Sequence, residues 1–155
     1  MMARFSVVLS TLIVLSGSAR ADANGEPPPN RLAMQAGFLP TASFLGLEYT
    51  RRLVPFAELS AGASYGLTSN AALIPRLRWS SSRWSLAVGA GPALSYDSSG
   101  YGDSKKWLVQ LLADAEVTHE TVDEWVIQIR IGATTAREMD PVVYPFVGLG
   151  IGRAF

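Results

Sequence analysis

Cysteine is absent from the 155 residues. Its absence excludes a disulfide framework, a thiolate metal site, a thiol nucleophile and a lipidated cysteine anchor. Net charge is absent too, since 13 basic residues balance 13 acidic ones. A nucleic-acid partner is therefore not expected, because neutralising phosphates takes a basic surplus. Histidine occurs once, at His119. One imidazole with scattered carboxylates makes neither a metal-ligand set nor a nucleophile relay, so no metal, cofactor or catalytic residue is expected. Charged residues are scarce, at 17% against about 25% in soluble domains. Beyond the first two dozen residues no apolar run approaches the ~20 residues of a membrane-spanning helix.

The first segment reads as an address. Arg4 precedes a short apolar core over residues 5–15, and small residues then lead to Ala19-Arg-Ala21. This is the pattern of a secretory signal peptide over residues 1–21, with cleavage after Ala21 or, by the same rule, Ala23. Residues 22–30, with Pro27-Pro-Pro29, read as a stiff extended tail that cannot join a sheet interior. Residues 31–155 read as a single domain.

What that domain has is alternation. In residues 125–134, Trp125, Ile127, Ile129, Ile131 and Ala133 are apolar, while Gln128, Arg130, Gly132 and Thr134 stand between them. Successive strand side chains point to opposite faces, so the pattern predicts a strand with one greasy and one wet side. The same split predicts strands over 31–39, 43–50, 55–66, 73–80, 83–97 and 142–155. Residues 107–118 fit a strand, although Leu108, Leu111, Leu112 and Ala115 also fit a helical stripe. With 107–118 taken as a strand there are eight, of roughly ten residues, the length that crosses a bilayer at a ~45° tilt. Connections are expected at 51–54, 80–82 and 119–124 on one end. On the other they are expected at 40–42, 67–71, 97–106 and 137–141.

The bulky side chains lie on the face that a soluble barrel could not leave outside. One face carries Trp, Leu, Ile and Val; the other carries Gly, Ser, Gln and ions. A small barrel has interior room only for packed side chains. Small and ionic residues inside, with large apolar ones outside, suit a hydrocarbon solvent. Backbone groups in hydrocarbon must all be paired, so the sheet must close. Tyr49, Tyr65, Trp79, Trp84, Tyr96, Trp107 and Trp125 lie near strand ends, where interfacial girdles form. The expected fold is all-β, a closed antiparallel up-and-down transmembrane barrel of eight strands. A soluble sandwich or ligand-binding barrel in the periplasm is the alternative.

In this architecture the chain resembles the small outer-membrane β-barrel proteins, the eight-stranded OmpA and OmpX-type class. Members end in an aromatic residue with apolar residues at alternate positions before it, a signal read by the outer-membrane assembly machinery. Here Val147, Leu149 and Ile151 keep step with Phe155, and Arg153 departs from the pattern. The resemblance implies location in the cell outer membrane, both termini on the periplasmic side, lipids and the assembly machinery as partners, and a monomer. It would make 51–54, 80–82 and 119–124 periplasmic turns.

Parity turns Glu48, Glu58, Arg76, Arg78, Asp114, Glu116 and Arg130 inward. Ions in a narrow, partly dry lumen must pair. With a hairpin loop at 121–123, Asp114 stands opposite Arg130, and Glu58 lies within cross-strand reach of Arg76 and Arg78. A lumen plugged by these ions predicts a structural or surface-interaction role. A narrow pore is one alternative. A lipid-modifying enzyme is another, disfavoured because His119 falls on the periplasmic end, away from the outer rim.

Overall fold

The computed structural model describes residues 30–38, 43–66, 68–97, 107–136 and 143–155. They form eight strands: β1 (Asn30–Phe38), β2 (Ser43–Val54), β3 (Ala57–Gly66), β4 (Thr68–Ser81), β5 (Trp84–Asp97), β6 (Trp107–Glu120), β7 (Trp125–Ala136) and β8 (Tyr144–Ala154). Each strand pairs antiparallel with the next, and β8 returns to β1, closing the barrel. The leader 1–21 and the tail through residue 29 lie outside the described residues. Asn30, assigned to the tail from the sequence, is the first residue of β1.

The alternation becomes two faces. Leu45, Val109, Ile131 and Leu149 are 60, 68, 57 and 60% exposed, whereas Glu58, Ser60, Glu116 and Gln128 are buried to within a few per cent. Greasy residues cover the outside and polar ones fill the inside. Residues 107–120 settle as a strand, with alternate residues exposed along β6. The helical stripe loses because Leu108 and Leu112 face in while Leu111 and Ala115 face out. A helix there would also leave the edges of β5 and β7 unpaired.

The ladder is staggered. From Asn30 it runs to Arg51, Leu59 and Pro75, then through β5 to Ala113, Ala133 and Pro145. Phe38, far along β1, is the residue paired with nearby Val147. A ladder that returns this far from its start tilts the strands, by roughly 35–45° in barrels of this kind. Between β4 and β5 the pairing lapses between Ala72–Ala93 and Arg76–Gly89 and resumes in the same register. Pro75 and Pro92 fall in that gap, and neither has an N–H to give the ladder.

Several expected connections are strand. Residues 51–54, expected as a connection, extend β2, and the chain reverses at Pro55-Phe56. Most of 67–71, expected as a connection, belongs to β4. His119 and Glu120 extend β6, so the turn is 121–124. The β4–β5 reversal falls at Ser82-Arg83, beyond Ser80 and Ser81. In each case alternation continues through polar residues that resemble loop composition. Of the expected connection 97–106, Asp97 ends β5; its remainder and the expected connections 40–42 and 137–141 lie outside the described residues.

The Ser81–Trp84 pair closes a two-residue hairpin whose first central residue, Ser82, has φ 54°. A lone positive φ at that position is the place where glycine is favoured in a type II′ turn. Ser82→Gly is expected to raise stability by about 0.5–1 kcal/mol, the relief of left-handed strain less the added chain entropy. A lower unfolding midpoint in urea would overturn this assignment of strain.

Candidate functional site

The inward faces converge on an ionic core. Among the described residues, Arg31, Arg76, Arg78 and Arg130 meet Glu48, Glu58, Asp114, Glu116 and Glu120 there. Arg76 on β4 is its centre, with no exposed side-chain surface. Its Nε donates to Asp114 Oδ1 at 3.0 Å and its Nη2 to Asp114 Oδ2 at 2.7 Å, a bidentate pair. Its other edge donates to both oxygens of Glu48 at 3.3 Å and to Ser60 Oγ. One guanidinium thus ties β2, β3 and β6 to β4.

Arg130 on β7 pairs with Glu48 and donates to Glu116 Oε2 at 2.7 Å and to Gln35 Oε1 at 3.1 Å. Nearer the terminal end, Arg31 donates to Glu58 Oε2 at 2.8 Å and to Thr118 Oγ1 at 3.0 Å. Arg78 reaches Glu120 at 3.4 Å and Glu58 at 3.8 Å. Gln128 and Thr118 both donate to Glu116 Oε1, at 3.1 and 3.0 Å. Desolvated ions are costly unless charges and lone pairs are both matched, and shared bonds of this kind match them.

The seven residues expected in the lumen all point inward, but their pairing differs from the expectation. Glu116, not Asp114, stands opposite Arg130; Asp114 stands opposite Gly132 and reaches Arg130 Nε obliquely at 3.3 Å. The reason is the longer β6–β7 turn, which closes on Glu120–Val126 and slides the register by two residues. Glu58 does lie across from Arg76 in the ladder. Its carboxylate nevertheless goes to Arg31 and Arg78, because Arg76 is taken up by Glu48 and Asp114. Arg31 and Glu120 were missed as lumen ions. Arg31 has inward parity on β1, a signal that could have found it; Glu120 was hidden in the presumed turn.

The other half of the lumen is open. A cavity of about 130 Å³ lies above the Arg130–Glu48 pair, with Gln35, Asn70 and Gln110 on its polar side and Ile74, Leu112 and Phe146 on its apolar side. On β8, Val147, Leu149 and Ile151 are exposed on the outer face. Phe155 exchanges backbone hydrogen bonds with Asn30, at 3.1 and 2.9 Å. His119 is on strand β6, not in a turn, and its ring lies 4.4 Å from that of Trp84 on the outer face. The imidazole therefore sits apart from the ionic core.

A closed eight-stranded antiparallel barrel, apolar outside and ionic inside, has the architecture of the OmpA and OmpX-type outer-membrane barrels. Solved structures of that class match it. The N-terminal β-barrel domain of Pseudomonas aeruginosa OprF superposes with a TM-score of 0.69 at 15% identity, covering 84% of this chain and 100% of that one. The Yersinia pestis outer membrane protein Ail, in a phospholipid bilayer nanodisc, gives a TM-score of 0.55 at 13% identity over 84% of this chain and 100% of its own. The de novo designed TMB2.3 gives 0.56 at 13% identity, covering 83% and 95%. No family model and no curated protein matches the sequence.

Proposed function

We propose that this protein resides in the outer membrane as a monomeric barrel with a sealed lumen, in a structural or surface-interaction role without catalysis. The fully buried Arg76, held by carboxylates from β2 and β6, carries this reading. It bridges the barrel from wall to wall where a water path would have to run. Residues 1–21 direct export and are removed. Val147, Leu149, Ile151 and Phe155 form the signal for the assembly machinery, presented before β8 closes on β1. Bilayer lipid covers the exposed apolar belt.

Fractionation of the tagged chain tests the location. The expected result is recovery in the outer membrane, with detergent-dependent solubility and a band that shifts on boiling. Soluble recovery from the periplasm overturns the reading. Planar-bilayer recordings of the purified barrel test the seal, and silence across ionic strengths is expected. Steady unitary conductance would instead make the cavity above Arg130 the vestibule of a narrow pore. Altered lipid A masses in cells carrying the protein would place it among lipid-modifying enzymes.

A further inference from the structure

The collar at the terminal end of the barrel changes character at the closing seam, where basic side chains enter it. Phe56, Trp79, Trp84 and Trp125 are exposed there at 65, 56, 56 and 49%, covering the sector from the β2–β3 turn to β7. Across the seam of β8, β1 and β2, two exposed arginines, Arg51 and Arg153, stand at that level among Tyr49, Leu53 and Phe155. Arg153 pairs directly with Trp125 and so sits at collar height. Arg51 pairs with Asn30, the residue that also bonds the backbone of Phe155. Among the described strand residues, these two arginines stand on the apolar face. Arg51 continues the series Leu45, Leu47, Tyr49, and Arg153 continues Val147, Leu149, Ile151.

Guanidinium groups at a hydrocarbon edge need an anion or water. Among the described residues, protein supplies little of the first here. Arg153 has Glu124 at 3.7 Å, with the two side chains 65 and 36% exposed. Such an exposed pair is weak. Between the arginines, on β1, Asn30 accepts a hydrogen bond from the Tyr49 hydroxyl at 2.8 Å. Its amide oxygen is thereby occupied, and its N–H groups remain as donors.

We propose that this seam binds the phosphate of one anionic phospholipid headgroup, without the opposing cation of a zwitterionic lipid, in the leaflet facing the barrel's termini, clamped by Arg51 and Arg153 over Asn30. The proposal rests on the membrane reading above. Arg51 lines up with Asn30 and Arg153 with Leu32, so two strand spacings and a two-residue offset separate the arginines by roughly 12 Å, a gap that two long side chains can close on one phosphate. Arginine presents a planar fork suited to phosphate oxygens. The ligand is a lipid and not free phosphate because Leu47, Leu149 and Ile151 continue from the clamp up the outer wall. They give acyl chains an apolar track.

The test is native mass spectrometry of the barrel released from nanodiscs of phosphatidylcholine with a minority of phosphatidylglycerol. One retained phosphatidylglycerol is expected, enriched about thirtyfold over its share, as two basic residues near an anionic surface supply. Arg51→Gln with Arg153→Gln should abolish the enrichment, while Arg83→Gln in the β4–β5 turn should keep it. Equal retention by the wild type and the double variant overturns the site. Equal loss in Arg83→Gln also overturns it, by showing a diffuse charge effect. A barrel that fails to insert overturns this proposal together with the membrane reading; one that inserts without enrichment overturns the lipid site alone.

Discussion

Replacing Arg76 by alanine is expected to lower the unfolding free energy by about 3–5 kcal/mol, the usual cost of stranding buried carboxylates. The bidentate bond to Asp114 disappears, and Glu48 and Glu116 keep Arg130 as their nearest cation. Asp114 is then left with the oblique contact to Arg130 at 3.3 Å. Urea titration of the folded barrel, followed by tryptophan fluorescence, measures the change. Arg76→Met combined with Asp114→Leu should recover much of the loss, because an apolar pair of similar volume removes the unmatched charge instead of exposing it. If the single alanine variant lost less than about 1 kcal/mol, within the range of an exposed pair, water would have to be reaching these ions, and the sealed lumen would be wrong.

The second large effect is expected at the closing seam. Ala33 pairs with Gly152 across β1 and β8. A Cβ added at Gly152 would lie 2.1 Å from Leu32 O and 2.5 Å from Ala33 Cα, both backbone atoms that cannot turn aside. Gly152→Ala must therefore push the two strands apart where the barrel closes. A loss of about 3 kcal/mol, the upper end of overpacking costs, is expected, with a smaller folded fraction on unboiled gels. Gly148→Ala, four residues earlier on the same strand, is the control. Its Cβ would meet Ala36 O at 3.8 Å and Arg130 Cβ at 3.9 Å, ordinary contacts. That variant should fold at wild-type yield; equal damage in both would show that the defect is not one of backbone clearance.

Much of this barrel is legible in its sequence. Ile127, Ile129 and Ile131 against Gln128 and Arg130 assign the faces of β7, and parity alone turns Glu48, Arg76 and Glu116 inward. Strand ends were less legible. Arg51, Arg52, Ser69 and Asn70 have the composition of loops, yet they continue strands because the neighbouring chain offers its unpaired backbone. The inward parity of Arg31 is legible in the sequence, whereas Glu120 lies in the polar stretch 119–124, whose composition is that of a turn.

Alternation by itself determined seven of the strands and which side of the wall meets apolar surroundings, since a side chain's face depends only on its position along its own strand; the eighth, β6, also fitted a helical stripe and was decided by closure of the sheet. Tertiary structure alone decided who pairs with whom. A slip of two residues, such as the one that sets Glu116 rather than Asp114 across from Arg130, leaves every face unchanged and so leaves no trace in the hydrophobic pattern. The meeting of Arg76 with Glu48 and Asp114 depends on the stagger and curvature of the closed sheet, which bring together residues that no pair of neighbouring strands connects.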